Sequence, residues 1–459
     1  MMSGISNLRL IGAALATALY LLLLVTTVWR VRREARRREH EAAELAMSVG
    51  DSASWLVVYA SQTGTAEELA RRTANALHTV GLSAQLISIE QLDAATLRHT
   101  TRALFVASTT GEGDPPDGGA LFMRRVMDAP HALGGLQYGV LALGDRDYRN
   151  FCAFGRTLDE WLHTQGATRL FTRVEASNTD PAALSQWRTH LMDITGTDEL
   201  PEWLPPRFDE WQLVQRELLN PGSAGAPMYD LRLAPADHSA RPDWQAGDLA
   251  QITPPGDESR PRDFSIASLP SEGHLRLLVR VAQRDDGSQG LCSGWLCTQL
   301  ALGDAVPLRV RSNRSFRQGD NAPRPWILIG NGTGIAGLRA HLQARAQQSD
   351  TRNWLLFGER NAAYDAVLDA ELQVWEQNGV LTSLDRVYSR DPPRRVYVQD
   401  RLRECAVELR QWVDEGAAIY VCGSLDGMGS GVAAVLEEVL GTHTLAELLA
   451  NGRYRRDVY

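Results

Sequence analysis

The sequence predicts an α/β protein built in modules: an N-terminal transmembrane helix, a parallel-sheet domain, a small antiparallel barrel and a second parallel α/β layer. Three observations carry that expectation. An uncharged run near the start is long enough to span a bilayer, short apolar runs alternate with helical stretches over residues 54–195 and again over 321–459, and the region between is rich in β-type runs broken by Pro and Gly. At 459 residues the chain exceeds what one core usually serves, and 44% hydrophobic with 22% charged residues fits folded domains rather than disorder. A net charge of −9 repels nucleic acid and could steer a cationic partner protein.

Taken in order, residues 8–29 are the expected anchor. Leu10 to Trp29 carries no charge, and about 20 positions at about 1.5 Å rise reach about 30 Å, a bilayer core. Arg30, Arg32, Arg33, Arg36, Arg37 and Arg38 follow the run whereas only Arg9 precedes it, which predicts a single-pass protein of the cell inner membrane with everything downstream in the cytoplasm. A cleavable signal peptide would show the opposite flank charge and a small-residue cleavage site. Residues 30–53, rich in Arg, Glu and Ala, read as a basic helical stalk.

Residues 54–195 alternate strands and helices: Leu56 to Ala60, then Ala66 to Thr79; Ala103 to Ser108; Val140 to Leu143, then Phe154 to Thr164. Residues 196–210 are Pro-rich and acidic and suit a linker. Residues 211–320 hold the barrel runs Tyr229 to Leu233, Leu249 to Ile252 and Leu275 to Ala282, and from 321 the strands Trp326 to Ile329, Trp354 to Phe357 and Ala418 to Cys422 restore the β/α pattern. The five cysteines are an odd number without close metal-ligand spacing, which argues against a disulfide framework and fits a reducing compartment. No metal site is expected.

The chemistry lies in loops that follow strands. Ser61, Gln62, Thr63, Gly64, Thr65 and Ala66 put hydroxyls and a glycine before a helix N-terminus, where backbone N–H groups can ring a phosphate; an ordinary capped turn is the competing reading. Ser108, Thr109, Thr110 and Gly111 follow the next strand, and Leu143, Gly144, Asp145, Tyr148, Asn150, Phe151 and Cys152 the one after. In an open α/β sheet three such loops converge on one crevice outside the carboxyl ends of the strands. In the last region Gly330, Gly332 and Gly334 with Thr333 form a glycine-rich turn that lets a dinucleotide pyrophosphate approach the backbone, at a spacing other than G-x-G-x-x-G.

Together the first three loops resemble the FMN-binding flavodoxin-like domain of the diflavin reductases, a family that includes sulfite reductase flavoprotein subunits and microsomal cytochrome reductases. The remaining motifs resemble a ferredoxin-NADP reductase-like module. By that resemblance Ser61 to Ala66 hold the FMN phosphate, Ser108 to Gly111 lie beside the flavin and Tyr148 stacks on it, with core packing as the alternative for Tyr148. Thr110 stands where many relatives have a second aromatic. Arg262, Asp263, Phe264 and Ser265 resemble an Arg-x-Tyr-Ser signature that implies an Arg contact to the FAD pyrophosphate and an aromatic against the flavin. Gly290, Leu291, Cys292 and Ser293 match the second pyrophosphate turn.

Ser389, Arg390, Arg395, Tyr397 and Gln399 match the segment for the 2′-phosphate of NADPH, and a solvated basic loop is the other reading; Gly431 replaces an acidic residue that relatives often carry. Cys422 ends a strand that brings a cysteine to the nicotinamide. The run Arg453 to Tyr459 is similar to the family's ending, which implies that Tyr459 covers the FAD ring and that Asp457, Ser265 and Cys422 cluster around the transferred hydride. The likeness runs from about Trp55 to Tyr459 and lacks one part, the large helical connecting domain, since Leu249 is followed by Arg262 after only a dozen residues. It implies a membrane-anchored NADPH-dependent oxidoreductase passing electrons from NADPH through FAD and FMN to a haem or iron–sulfur acceptor protein. A ferric-siderophore or other iron-chelate reductase and a flavin redox sensor without turnover are the alternatives.

Overall fold

The computed structural model describes residues 54–459 apart from residues 147, 178–179, 198–199, 201–202, 204–205, 238–241, 258–259, 285, 349–350 and 393–394. The expected span at 8–29 and stalk at 30–53 lie outside the described residues. Among the described residues no helix is long and apolar enough to cross a membrane.

Strand β1, Trp55–Ala60, reads WLVVYA, and its two faces serve two cores: Trp55 and Val57 pack on one side, Leu56, Val58 and Ala60 on the other. A strand covered on both faces is continuously apolar rather than alternating. With β2 (Ala84–Ser88), β3 (Arg102–Ser108), β4 (Gln137–Gly144), β5 (Thr168–Arg169) and β6 (Val174–Ser177) it forms a parallel sheet of order β2-β1-β3-β4-β5. The last place is shared, for β5 pairs the start of β4 and β6 its end. This order reverses between β1 and β3, and there the loops after β1, β3 and β4 meet. The closing helix Pro181–Thr195 starts on an Asp180 cap with proline in its first turn and stops at Gly196, whose φ is +69°.

The second layer is antiparallel: β7 (Asp209–Leu218), β8 (Met228–Pro235), β9 (Leu249–Ile252), β10 (Arg262–Ser265), β11 (Leu275–Arg280) and β12 (Ala305–Arg311), in the order β10-β9-β12-β7-β8-β11. A bridge between Ile266 and Leu277 joins the two ends and closes the barrel around Leu213, Leu231, Ile252, Val279 and Leu308. β9 runs into β10 through one short loop, with no inserted helical domain.

The third layer is again parallel: β13 (Trp326–Asn331), β14 (Asn353–Glu359), β15 (Ser383–Tyr388), β16 (Ala418–Gly423) and β17 (Tyr454–Val458), in the order β15-β14-β13-β16-β17. Helix Ile335–Ala346 covers one face with Leu338 and Leu342 in the core. The final run Arg453 to Tyr459 therefore becomes an edge strand, and its register sets Asp457 beside Cys422.

Candidate active site

Three strands from two layers bring the predicted hydride cluster together. Ser265 ends β10, Cys422 lies near the end of β16 and Asp457 on β17. The Ser265 hydroxyl donates to Asp457 Oδ2 at 2.8 Å and the Cys422 thiol approaches the same oxygen at 3.8 Å. All three side chains are buried. Burial pushes the Asp457 carboxyl up to about 6, the Ser265 hydrogen bond pulls the other way and Asp263 pushes it further up. Burial also raises the Cys422 thiol well above its usual range, with Asp457 adding to it, so a protonated, weakly donating sulfur faces the site. Gly337 makes room for this packing, since a Cβ there would lie 3.2 Å from the Cys422 sulfur.

Beside the cluster, a cleft of about 670 Å³ gathers Gly332, Thr333, Ser389, Arg390, Tyr397, Gln399 and Tyr459. Gly332 has φ +55°, and Gly334 has no room for a side chain because its Cβ would fall 2.0 Å from the Cys422 carbonyl oxygen. The Tyr459 hydroxyl lies 2.9 Å from Thr333 Oγ1 and the residue as a whole is 57% exposed, at the mouth of the cleft that it lines. Arg390 donates to the Tyr397 hydroxyl at 3.3 Å. The volume suits a bound nucleotide, and exposed Arg360 and Arg390 line the cleft, as a phosphate monoester needs. Arg395 is exposed and is not among the lining residues. A Cβ on Gly431 would sit 3.0 Å from the Gln399 amide carbon, so the small residue there lets Gln399 take its place.

Sequence reading missed Arg280 and Glu359, which line the same cleft as an ion pair at 2.8 Å. Burial raises Glu359 to about 7 against the opposing pull of Arg280. Arg280 sits at the end of a barrel strand with no flanking motif, and only the packing of the barrel against the third layer reveals it.

The FMN-type crevice is built from the three predicted loops. Gly64 takes φ +93°, and its N–H donates to the Ser61 hydroxyl at 2.9 Å. The Thr109 N–H donates to the Leu143 carbonyl at 2.8 Å, the Phe154 N–H to the Thr109 hydroxyl at 3.2 Å, and the Asn150 amide to the Glu112 carbonyl at 2.5 Å, so the second and third loops hold each other. Thr110 bonds Asp114 and closes its own turn, with Gly111 at φ +48°. Tyr148 is 45% exposed at the rim, which places it outside the packed core. Phe151 lies under the Arg146 and Arg156 guanidinium groups. Gln62 holds the backbone of Asp117 and donates to its carboxylate. The hydroxyl-lined loop and its glycine in the left-handed region fit a flavin phosphate.

Cys152 departs from expectation. It is fully buried, takes φ +56° at the start of helix Ala153–Thr164 and donates its thiol to the Ala142 carbonyl at 3.3 Å; burial lifts it to about 12. It packs beneath the loop, as do the side chains of Leu143 and Ala66, which leave only backbone groups to a ligand.

On the barrel, Arg262 and Phe264 alternate along β10 with buried Ser265. The turn at Gly290 is fixed by its N–H on the Ala282 carbonyl at 2.7 Å and by the Ala282 N–H on the Ser293 hydroxyl at 3.0 Å. Leu291 is exposed, whereas the Cys292 side chain belongs to the barrel core and burial pushes its thiol up to about 12, opposed by the charge of nearby Arg262. The arginine and the turn therefore lie close together, as a pyrophosphate contact from both would need. All five cysteines are free and buried.

The first layer meets the other two through charged contacts that no local motif announces. Arg456 donates its Nε to Asp117 at 3.0 Å, the Gln62 amide donates to the Arg456 carbonyl, Arg309 pairs with Glu68 at 3.3 Å and Arg260 with Asp145 at 3.3 Å.

Comparison with known proteins agrees with this architecture. The family described as "Flavodoxin" matches residues 57–189 and that described as "Oxidoreductase NAD-binding domain" matches residues 328–433. The chain is 28% identical over 553 residues to the sulfite reductase [NADPH] flavoprotein alpha-component of Neisseria meningitidis serogroup B, covering 91% of each. It is 29% identical over 538 residues to the protein of that name from Vibrio cholerae, covering 88% of this chain and 87% of the relative, and 26% identical over 537 residues to that of Bacillus subtilis, covering 88% and 89%. The first alignment is longer than the 459 residues of this chain, so the relative carries intervening sequence that this chain lacks.

The expected placement in a cell inner membrane is corrected by these findings. The relatives that cover nine-tenths of the chain are flavoprotein components of sulfite reductase, and no described helix is long and apolar enough to cross a membrane.

Proposed function

We propose that the chain is a member of the diflavin reductase family, an NADPH-dependent flavoprotein reductase using FAD and FMN, and that electrons enter it at the Ser265, Cys422 and Asp457 cluster and leave, one at a time, to a separate haem or iron–sulfur acceptor protein. The observation that carries this reading is the 2.8 Å hydrogen bond from Ser265 to a buried carboxylate beside the nucleotide cleft. A buried carboxylate there offers negative charge toward a nicotinamide ring as it becomes cationic, and Ser265 and the register of β17 hold it in place before the reaction begins. Cys422 fills the floor of the site and keeps water from it. Tyr459 closes the mouth of the cleft and must move aside for the nicotinamide to lie against the barrel. Arg390, Ser389 and Tyr397 select the 2′-phosphate. The flavins, when bound, turn the two-electron hydride into single electrons.

The test is an anaerobic titration of the chain with NADPH and with NADH, following flavin absorbance and counting FAD and FMN released on denaturation. Bleaching of both flavins by NADPH, far faster than by NADH, followed by reoxidation on adding a haem or iron–sulfur acceptor, is the expected result. One flavin only, or bleaching without reoxidation by any such protein, sinks the proposal.

A further inference from the structure

We propose that the FMN phosphate site is completed from across the domain interface by Arg311 and Arg314, so that the phosphate loop draws its positive charge from the reductase module rather than from its own domain. This rests on the reading of Ser61 to Ala66 as the phosphate loop.

The loop and its helix are poor in available cations. Arg71 and Arg72 are the first basic residues after it, and both are paired one turn back, with Glu67 at 2.7 Å and Glu68 at 2.8 Å. Those two glutamates stand in the first turn of the helix, so a phosphate entering the loop meets nearby negative charge before it meets any positive charge of its own domain.

The end of β12 and the residues after it supply what is missing. A Cβ on Gly64 would come within 2.9 Å of the Ser312 carbonyl, and the Ser315 hydroxyl donates to the Gln62 carbonyl at 2.7 Å, so this segment lies directly along the loop. Arg311 is 6% exposed and donates to the Thr65 hydroxyl at 2.5 Å and to Asp263 at 2.6 Å, while its Nε has no hydrogen-bond partner among the described residues. A buried guanidinium with an unused donor against a phosphate-loop hydroxyl is half of a charge-assisted anion site. Arg314 lines a cavity of about 220 Å³ with Ser61, Gln62 and Gly64, and reaches Glu67 at 3.5 Å. Phosphate entry would give the Arg311 Nε an acceptor and let Arg314 exchange its 3.5 Å contact with Glu67 for a dianion. Asp263 is the residue between Arg262 and Phe264 on β10, so the same guanidinium ties the loop to the FAD-type strand.

The experiment uses the flavin-depleted full chain and measures affinity for FMN and for riboflavin, which lacks the phosphate, by quenching of flavin fluorescence. Arg311→Gln should weaken FMN roughly tenfold or more and leave riboflavin unchanged. Should that buried variant fail to fold, Arg314→Gln, at a more exposed position, decides on its own, with an expected loss of roughly threefold or more, again confined to FMN. Ser61→Ala reports on the loop itself. If Ser61→Ala costs FMN selectively while neither arginine variant does, the loop reading stands and this inference falls. If none of the three separates FMN from riboflavin, the loop reading falls with it.

Discussion

Ser265 and Asp457 lie 192 positions apart in the chain and share a 2.8 Å hydrogen bond inside a buried pocket. Neither residue can act there without the closure of β10 and β17 on the same space. Removing one member of such a prearranged pair costs about 10²–10³ in rate at comparable sites. Stopped-flow mixing with NADPH should show flavin reduction slowed to that degree in Asp457→Asn and by about tenfold in Ser265→Ala, with the circular dichroism of both unchanged.

The pH response follows from burial. Asp457 titrates at about 6 in the fold and at 3.8 in a free chain. Between those values the folded state holds a proton that the unfolded state has lost, so the group favours folding at low pH. That advantage disappears as pH rises through about 6, a penalty on the order of 3 kcal/mol by neutrality. Urea midpoints should show Asp457→Asn more stable than the parent at pH 7.5 and the two equal near pH 4. The reduction rate should run opposite, rising through about pH 6 in the parent as the carboxylate forms and staying flat in the variant.

Cofactor choice should depend on Arg390. It lies exposed in the cleft, bonded to the Tyr397 hydroxyl. Arg390→Ala should raise the KM for NADPH roughly 10- to 100-fold and leave that for NADH within about twofold, because only one of the two dinucleotides carries the charge it meets.

The Arg456 contact with Asp117 joins the first layer to the last strand. A connecting domain is missing, and this pair and the Arg309–Glu68 pair are among the contacts that hold the layers together. Asp117→Lys should enlarge the radius of gyration measured by small-angle scattering, and adding Arg456→Glu to the same chain should restore much of the compact form. High salt should mimic the single variant.

Backbone crowding at Gly334 gives a stability prediction. A methyl group would sit 2.0 Å from the Cys422 carbonyl, so Gly334→Ala should lower the thermal midpoint by several degrees, corresponding to about 2–3 kcal/mol of overpacking.

The parts legible in the sequence were those that depend on local spacing. Strands β1, β3 and β13 and the loops after them could be read because an apolar run followed by Gly, Ser and Thr before a helix has few physical alternatives. The cluster of Ser265, Cys422 and Asp457 was legible only through family likeness, since nothing in their separate neighbourhoods requires them to meet. Arg280, Glu359, Arg311 and Asp117 were missed because each works across a boundary between layers, and a lone charged residue near a strand end looks the same whether it faces solvent or another domain. Cys152 and Cys292 show the reverse error: motif position put them in cofactor loops, and volume put their thiols in the cores.

Strand β17 places Arg456 toward the first layer and Asp457 toward Cys422, on opposite faces of a period-two ribbon. Point changes there are local in effect, but loss or gain of a single codon in the turn at Asn451 and Gly452 would exchange the two faces at once. A gained residue would set Arg456 in the electron entrance, and a lost one would set Asp457 in the domain seam and Val458 in the entrance. In this short segment, therefore, length is under as strict a constraint as the identities of Arg456 and Asp457, because one added or lost residue displaces both at once.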